Sequence, residues 1–287
     1  MTAVDVPHIA PPEYLDPMLP DKSRFGLFSV ARIVDDPAIR FEAGVEYEPL
    51  ACERAGLLSS ICPPDEGSPA GLPMTLRAGG STETSLPFVV YGSYDCSTFS
   101  RPFDEAENRA RQHLSYGEER AVEYAIHQGG FDNGPILDDA GATDVTPAGG
   151  PVPIGRAFGL LESFLGRNYG GVGTIHAPRL ASASATNVGV ARRQGERMET
   201  ALGTLVAFGG GYDEAQNDPD IASMYATSVV TLRRSEVFVT PDPEFRPNYR
   251  TNDVEIVAQR IYVASFECVL GVVSVDTTAG SGSGGVF

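Results

Sequence analysis

Lysine is all but missing from this chain. Lys22 is the one lysine among 287 residues, and the other basic residues are all arginine. A phosphate-binding loop ending in Gly-Lys, or a Schiff-base lysine, therefore has no residue to use beyond the N-terminal stretch. Positive charge is scarce altogether: the net charge is −17, which repels nucleic acid and leaves no electrostatic footprint for binding it. No apolar run approaches the roughly eighteen residues of a membrane-crossing helix, so no membrane association is expected. The opening MTAVDVPHIAPPEYLDP lacks a basic region followed by an apolar one. No signal peptide is expected, and the protein is expected to stay in the cytoplasm where it is made. Cysteine is sparse: Cys52, Cys62, Cys96 and Cys268 form no Cys-x-x-Cys, with no histidine at ligand spacing. Free buried thiols are the expectation, without a zinc site and without a cytosolic Cys52–Cys62 disulfide.

Chemical motifs are missing too. His176, at the end of a predicted strand, is the best-placed catalytic candidate, but no serine or cysteine motif accompanies it. A satisfied structural histidine is the better reading. Glu123–His127 is an i,i+4 pair and not HExxH, so it reads as a helix-surface contact. Glu118-Glu119 and Asp138-Asp139 read as surface carboxylates, with no spacing that singles out an acid–base pair. Gly209-Gly210-Gly211 follows a strand, as a dinucleotide loop would, but GxGxxG is absent and no helix is predicted after it. It reads as a turn. Arg192-Arg193 and Arg233-Arg234 read as solvated or inter-subunit ion pairs. No catalytic, cofactor-binding or metal-binding residue is assigned, and neither enzymatic activity nor a cofactor is expected.

What the chain does have is a long helix. From Phe103 to Gln128, apolar and small residues recur at Phe103, Ala106, Ala110, Leu114, Gly117, Ala121 and Ala125, one narrow stripe at helical spacing. Asp104 and Glu105 suit the N-terminal dipole, Glu105–Arg109 and Glu107–Arg111 are i,i+4 pairs, and Gly129-Gly130 ends the run. The rod spans about 39 Å. Gly117 inside it predicts a close backbone approach.

The rest divides around this rod. Residues 1–26 carry Pro7, Pro11, Pro12, Pro17 and Pro20 without periodicity and read as an extended arm. Strands are predicted at Leu27–Val34, Val45–Glu48 and Phe88–Tyr91. A hairpin of Met74–Arg77 with Thr82–Leu86 is predicted around Gly79-Gly80. After a connector at 129–150, Pro153–Leu165 reads as a helix, Val172–Ala177 as a strand and Pro178–Thr186 as a small helix. A strand follows within Met198–Phe208. Thr227–Thr240 and Val254–Val275 read as long strands, the first about 46 Å if continuous. The expected architecture is α+β: a long helix lying along long antiparallel strands. The tail from residue 279 reads as flexible linker.

This order of parts resembles the major capsid protein of tailed bacteriophages, the Hong Kong 97 fold that encapsulin shells share. Gly173-Thr174-Ile175-His176-Ala177-Pro178 before an Ala-rich helix is similar to the axial strand and helix of that family. Thr204–Gly209 resembles the strand that follows there, and Ala258–Val275 its last peripheral strand pair. The resemblance implies an N-terminal arm at 1–26, an extended loop at 27–87 and an axial subdomain at 150–225. It also implies a peripheral subdomain at 88–135 and 226–278, with the spine helix. It further implies pentamers and hexamers in an icosahedral shell, a portal partner with scaffold or decoration proteins as candidates beside it, and enclosed double-stranded DNA without sequence-specific binding. The location implied is a virion capsid assembled in the host cytoplasm. Some family members join subunits through a lysine–asparagine bond from the extended loop, but 27–87 contains no lysine, so covalent joining is not expected. The alternatives are an encapsulin-type shell, which usually begins with a helix, and an α+β enzyme with a pocket at His176.

Overall fold

The computed structural model describes residues 18–37, 43–49, 82–97, 103–129, 136–214, 220–241 and 253–278. Strands β1 (Arg32–Asp35), β2 (Val45–Tyr47), β3 (Glu83–Ser85) and β4 (Pro87–Ser97) precede the long helix α1 (Phe103–Gln128). Short strands β5 (Thr143–Asp144) and β6 (Val152–Pro153) lead into α2 (Ile154–Asn168). Then come β7 (Thr174–Pro178), α3 (Ser182–Asn187), β8 (Arg192–Gln194), β9 (Arg197–Glu199), β10 (Leu205–Gly209) and the one-turn α4 (Gly210–Glu214). The last stretch holds β11 (Ile221–Thr227), β12 (Thr231–Arg234), β13 (Phe238–Thr240), β14 (Asp253–Ser265) and β15 (Leu270–Asp276).

Two sheets and a separate two-stranded ribbon, β2-β3, divide these strands. In the first, β14 is central: β4 runs antiparallel along one edge, β12 and β13 share the other, and β1 adds beyond β12. Helix α1 lies on this sheet. Its Ala106, Ala110, Leu114, Val122 and Ile126 pack with Phe88, Val90, Ile256, Ala258 and Tyr262 in one core. The second sheet runs β5-β15-β11-β7-β10-β9-β8, with β6 also on β15. Phe158, Leu161, Phe164 and Leu165 of α2 cover it, against Ile175, Val206, Met224 and Val273. Each such side chain, fully buried, contributes about 1.5–3 kcal/mol.

Helix α1 has the expected bounds, and Gly129 closes it with a φ of 77°. Both predicted ion pairs form, Arg111–Glu107 at 2.9 Å and Arg109–Glu105 at 3.6 Å. The stripe is correct only as far as Leu114. Beyond it the buried face is Glu118, Val122, Glu123, Ile126 and His127, whereas Ala121 is exposed. Nothing lies within 4 Å of where a Gly117 Cβ would be, so the close approach is not there. It is made instead by Gly92 on β4.

The long C-terminal strands are also corrected. Thr227–Thr240 is not one strand: β11 ends in the second sheet at Thr227, and the chain crosses at Ser228–Val230 to β12 in the first. Val254–Val275 crosses back at Phe266–Val269, so β14 and β15 do not pair with each other. The two crossings are tied together, since the Glu267 N–H donates to the Ser228 hydroxyl at 2.7 Å. Leu27–Val34 is a 3-10 turn, Leu27–Ser29, followed by β1. Met74–Arg77 lies outside the described residues, and Glu83–Ser85 pairs with β2. The Tyr47 hydroxyl donates to the Phe266 carbonyl at 2.7 Å, fixing this ribbon against the second crossing.

Candidate functional site

The seam where α1 meets the second sheet collects the buried charge. Glu123 is 2% exposed. Its Oε1 accepts the Leu27 N–H at 2.9 Å and its Oε2 the Gly211 N–H at 3.0 Å. One helical turn earlier, Glu119 accepts the Phe28 N–H at 2.8 Å. The two carboxylates thus cap the Leu27–Ser29 turn, and Glu123 also caps α4, at backbone N–H groups that lack intrahelical partners. Glycines make room for them. A Cβ on Gly26 would lie 2.5 Å from an oxygen of each glutamate, and one on Gly211 would run into the Arg120 carbonyl.

The incoming N-terminal segment is fastened on both sides of that clamp. Tyr116 Oη donates to the Pro20 carbonyl at 2.9 Å, and the Phe208 N–H to the Phe25 carbonyl at 2.8 Å. Arg179 bonds Ser23 and the Arg24 carbonyl. Between segment and helix lies a groove of about 450 Å³, lined among others by Lys22, Ser115, Arg120, Arg179 and Glu119.

Glu118 faces the first sheet instead. It pairs with Arg260 of β14 at 2.6 Å and accepts the Tyr262 hydroxyl. The Glu118-Glu119 pair is therefore no surface pattern, because each carboxylate meets donors supplied by distant segments. Glu123 and His127 are likewise buried rather than on a helix surface. The Gly209–Gly211 run is not a turn: Gly209 ends β10 and Gly210-Gly211 begin α4, so a helix does follow the strand directly.

His176 is buried on β7. The Thr227 hydroxyl donates to the Ser228 carbonyl at 2.8 Å, so it accepts from His176 Nε2–H at 2.8 Å. That leaves Nδ1 to accept the Tyr212 hydroxyl at 2.9 Å. Burial pushes the imidazole down to about 3, with His127 adding to the effect. Both ring nitrogens are occupied in a neutral relay, as the structural reading of this histidine expects, and the Tyr212 ring packs edge-on against it. Asp138 accepts the Tyr225 hydroxyl at 3.5 Å, and Asp139 the Gly141 N–H. Arg234 pairs with Asp35 at 2.6 Å within the subunit, while Arg193 lies 5.4 Å from the Phe25 ring centroid.

Cys268 is disulfide-bonded, which corrects the expectation of free thiols; its partner is not among the described side chains. Spacing along the chain carries no distance between strands, so this pairing was not legible. Among the described residues no group of three or more His, Cys, Asp or Glu is placed to hold a metal ion. Gly26, Gly92 and Gly211 were missed because nothing in the sequence says which backbone a glycine faces.

No protein-family model and no curated protein matches this chain. Solved structures do. The capsid of an empty GTA particle matches at TM-score 0.59 and 14% identity, over 96% of this chain and 98% of its own. Microbacterium phage Oxtober96 matches at TM-score 0.54 and 16% identity, over 93% and 96%. The SrpI encapsulin of Synechococcus elongatus PCC 7942 matches at TM-score 0.54 and 12% identity, over 93% and 94%. At such identities the likeness shows the fold. This chain has the Hong Kong 97 fold of phage capsids and encapsulins, as its sequence resemblance implied.

Proposed function

We propose that this chain is the major capsid protein of a tailed bacteriophage, self-assembling as pentamers and hexamers into an icosahedral shell around double-stranded DNA. The observation that carries the reading is the extent of the likeness: nearly the whole of this chain aligns with nearly the whole of capsid subunits. In this reading the first sheet and α1 form the peripheral subdomain, and the second sheet, with β15, forms the axial one. The arm ahead of Pro20 and the loop between Asp36 and Leu86 reach neighbouring subunits, whereas Pro20 to Asp35 is docked on the subunit's own helix and first sheet. A portal is the further partner, with a scaffold or decoration protein as a candidate beside it, and assembly takes place in the host cytoplasm. A charge of −17 per chain, repeated around a shell, keeps packaged DNA from sticking to the wall. The role is structural, without catalysis. The Cys268 disulfide fits a particle that leaves the reducing cytoplasm.

A second reading is favoured by the encapsulin match: a nanocompartment shell. Contents separate the two. Particles treated with nuclease and then opened should release long double-stranded DNA; particles from the native source holding only a cargo protein would favour the nanocompartment.

A further inference from the structure

The groove beside α1 is not a free anion site, because Arg179 is committed to Ser23 and Arg24, and Arg234 to Asp35. Its floor carries more. Glu123 joins three segments distant in sequence: α1 itself, the turn at Leu27 and the start of α4 at Gly211. Gly26 leaves no space between that turn and the carboxylates. Displacement of the turn would therefore open the carboxyl of Glu123 to water. We propose that Glu123 is a proton-operated latch that holds the N-terminal segment against the long helix, tight in acid and loosened as pH rises through neutrality.

The chemistry is that of a carboxyl in a dry site. Neutral, one of its oxygens carries the proton and accepts more weakly, but no charge is buried. Ionised, it places a negative charge beside Glu119 where little water reaches it. Burial holds Glu123 up at about 7 against an ordinary 4.5, with Glu119 pushing the same way and the two N–H donors and Arg179 pulling down. The groups that face it are Glu119 on α1, Arg179 and the Tyr212 phenol on α4, with Arg120 and Lys22 along the same groove. Burial also raises Glu119, while the Phe28 N–H, Arg179 and Lys22 draw it down.

The direction follows. A carboxyl held up at about 7 when docked, against an ordinary 4.5 where water reaches it freely, binds more protons docked. Docking is therefore strongest below pH 4.5 and weakens as pH rises through 7. Between pH 5 and pH 8 the full span between those two values gives a fall of up to about 70-fold in the docking constant, the limit reached when release exposes the carboxyl completely. The other anchors at Pro20, Ser23, Arg24 and Phe28 do not depend on this proton, so the loosening centres on Gly26–Leu27. The inference does not rest on the shell reading.

The test is hydrogen exchange of the 26–28 segment in the full-length chain, each rate divided by the intrinsic chemical rate at its pH. Wild-type protection is expected to fall from pH 5 to pH 8, by up to about 70-fold. Glu123→Gln is expected to give a flat profile, and Glu119→Gln a fall with a lower midpoint, since it removes the like charge. Carbon-13 titration of the Glu123 carboxyl follows the same proton in the wild type, without any substitution. A midpoint near 7 supports the latch. Flat wild-type protection, a Glu123→Gln profile as steep as wild type, or a carboxyl midpoint near 4.5 overturns it.

Discussion

Gly92 and Leu114 meet backbone to backbone: a Cβ on Gly92 would run into the Leu114 nitrogen and lie 2.9 Å from the Ala110 carbonyl oxygen. This contact sets how closely α1 lies on β4. Any side chain at position 92 lifts the helix from the sheet along its first half.

The helix contact makes four variants behave differently. Gly92→Ala should cost about 3 kcal/mol, and Ala110→Leu about 1–3 kcal/mol, since both force atoms into a filled contact. Ala121→Leu, on an exposed position, should stay within about 0.5 kcal/mol of wild type. Gly117→Ala has open space around it and should stabilise by roughly 1 kcal/mol through helix propensity. Urea denaturation of the dissociated subunit measures all four. A Gly92→Ala subunit as stable as wild type would show the close approach to be wrong.

The histidines set the acid side of stability. His176 is held near 3 in the fold against 6.5 when exposed, and His127 is shifted in the same direction by burial. The unfolded chain therefore binds more protons, so stability is full above pH 6.5 and is lost as pH falls towards 3. Glu123 works the opposite way between 4.5 and 7, which offsets part of this slope near pH 5.5. Below pH 4.5 the offset is gone. There His176→Gln should remove about 1.4 kcal/mol per pH unit from the slope of stability against pH. Calorimetry from pH 4.5 to 3.5 reads the slope, and an unchanged slope in the variant would mean that His176 is not the buried neutral base.

Lys22 lies exposed on the N-terminal segment, and residues 27–87 contain no lysine. Purified particles boiled in detergent with reductant should therefore run as one band near the 30.4 kDa chain mass. Ladders of higher mass that survive both treatments would show a covalent link between subunits after all.

How much of this was legible depended on what each residue type advertises. Helix α1 announced both of its ends, through Asp104, Glu105 and the Gly129 cap, and its stripe was readable while only Ala and Leu faced the sheet. From Glu118 onward the buried face is partly charged, because Arg260 and the N–H groups of Leu27 and Gly211 satisfy it. A hydrophobicity pattern assigns such residues to water. Ala121 misled for the converse reason, since a methyl group is as acceptable outside as inside. In Thr227–Thr240 and Val254–Val275 the β-branched residues continue through the crossings, so the pattern runs on where the strands do not. The seam was invisible altogether: its parts come from residues 25–28, 116–127, 176–179 and 208–212, joined only by the fold.

The central claim is that this subunit builds a closed shell. Electron microscopy of the purified, overexpressed chain, with sedimentation of the same sample, tests it most directly. Uniform closed particles, or capsomers that convert to them, are predicted. A monodisperse monomer at high concentration, with no particles under any assembly condition, would contradict it.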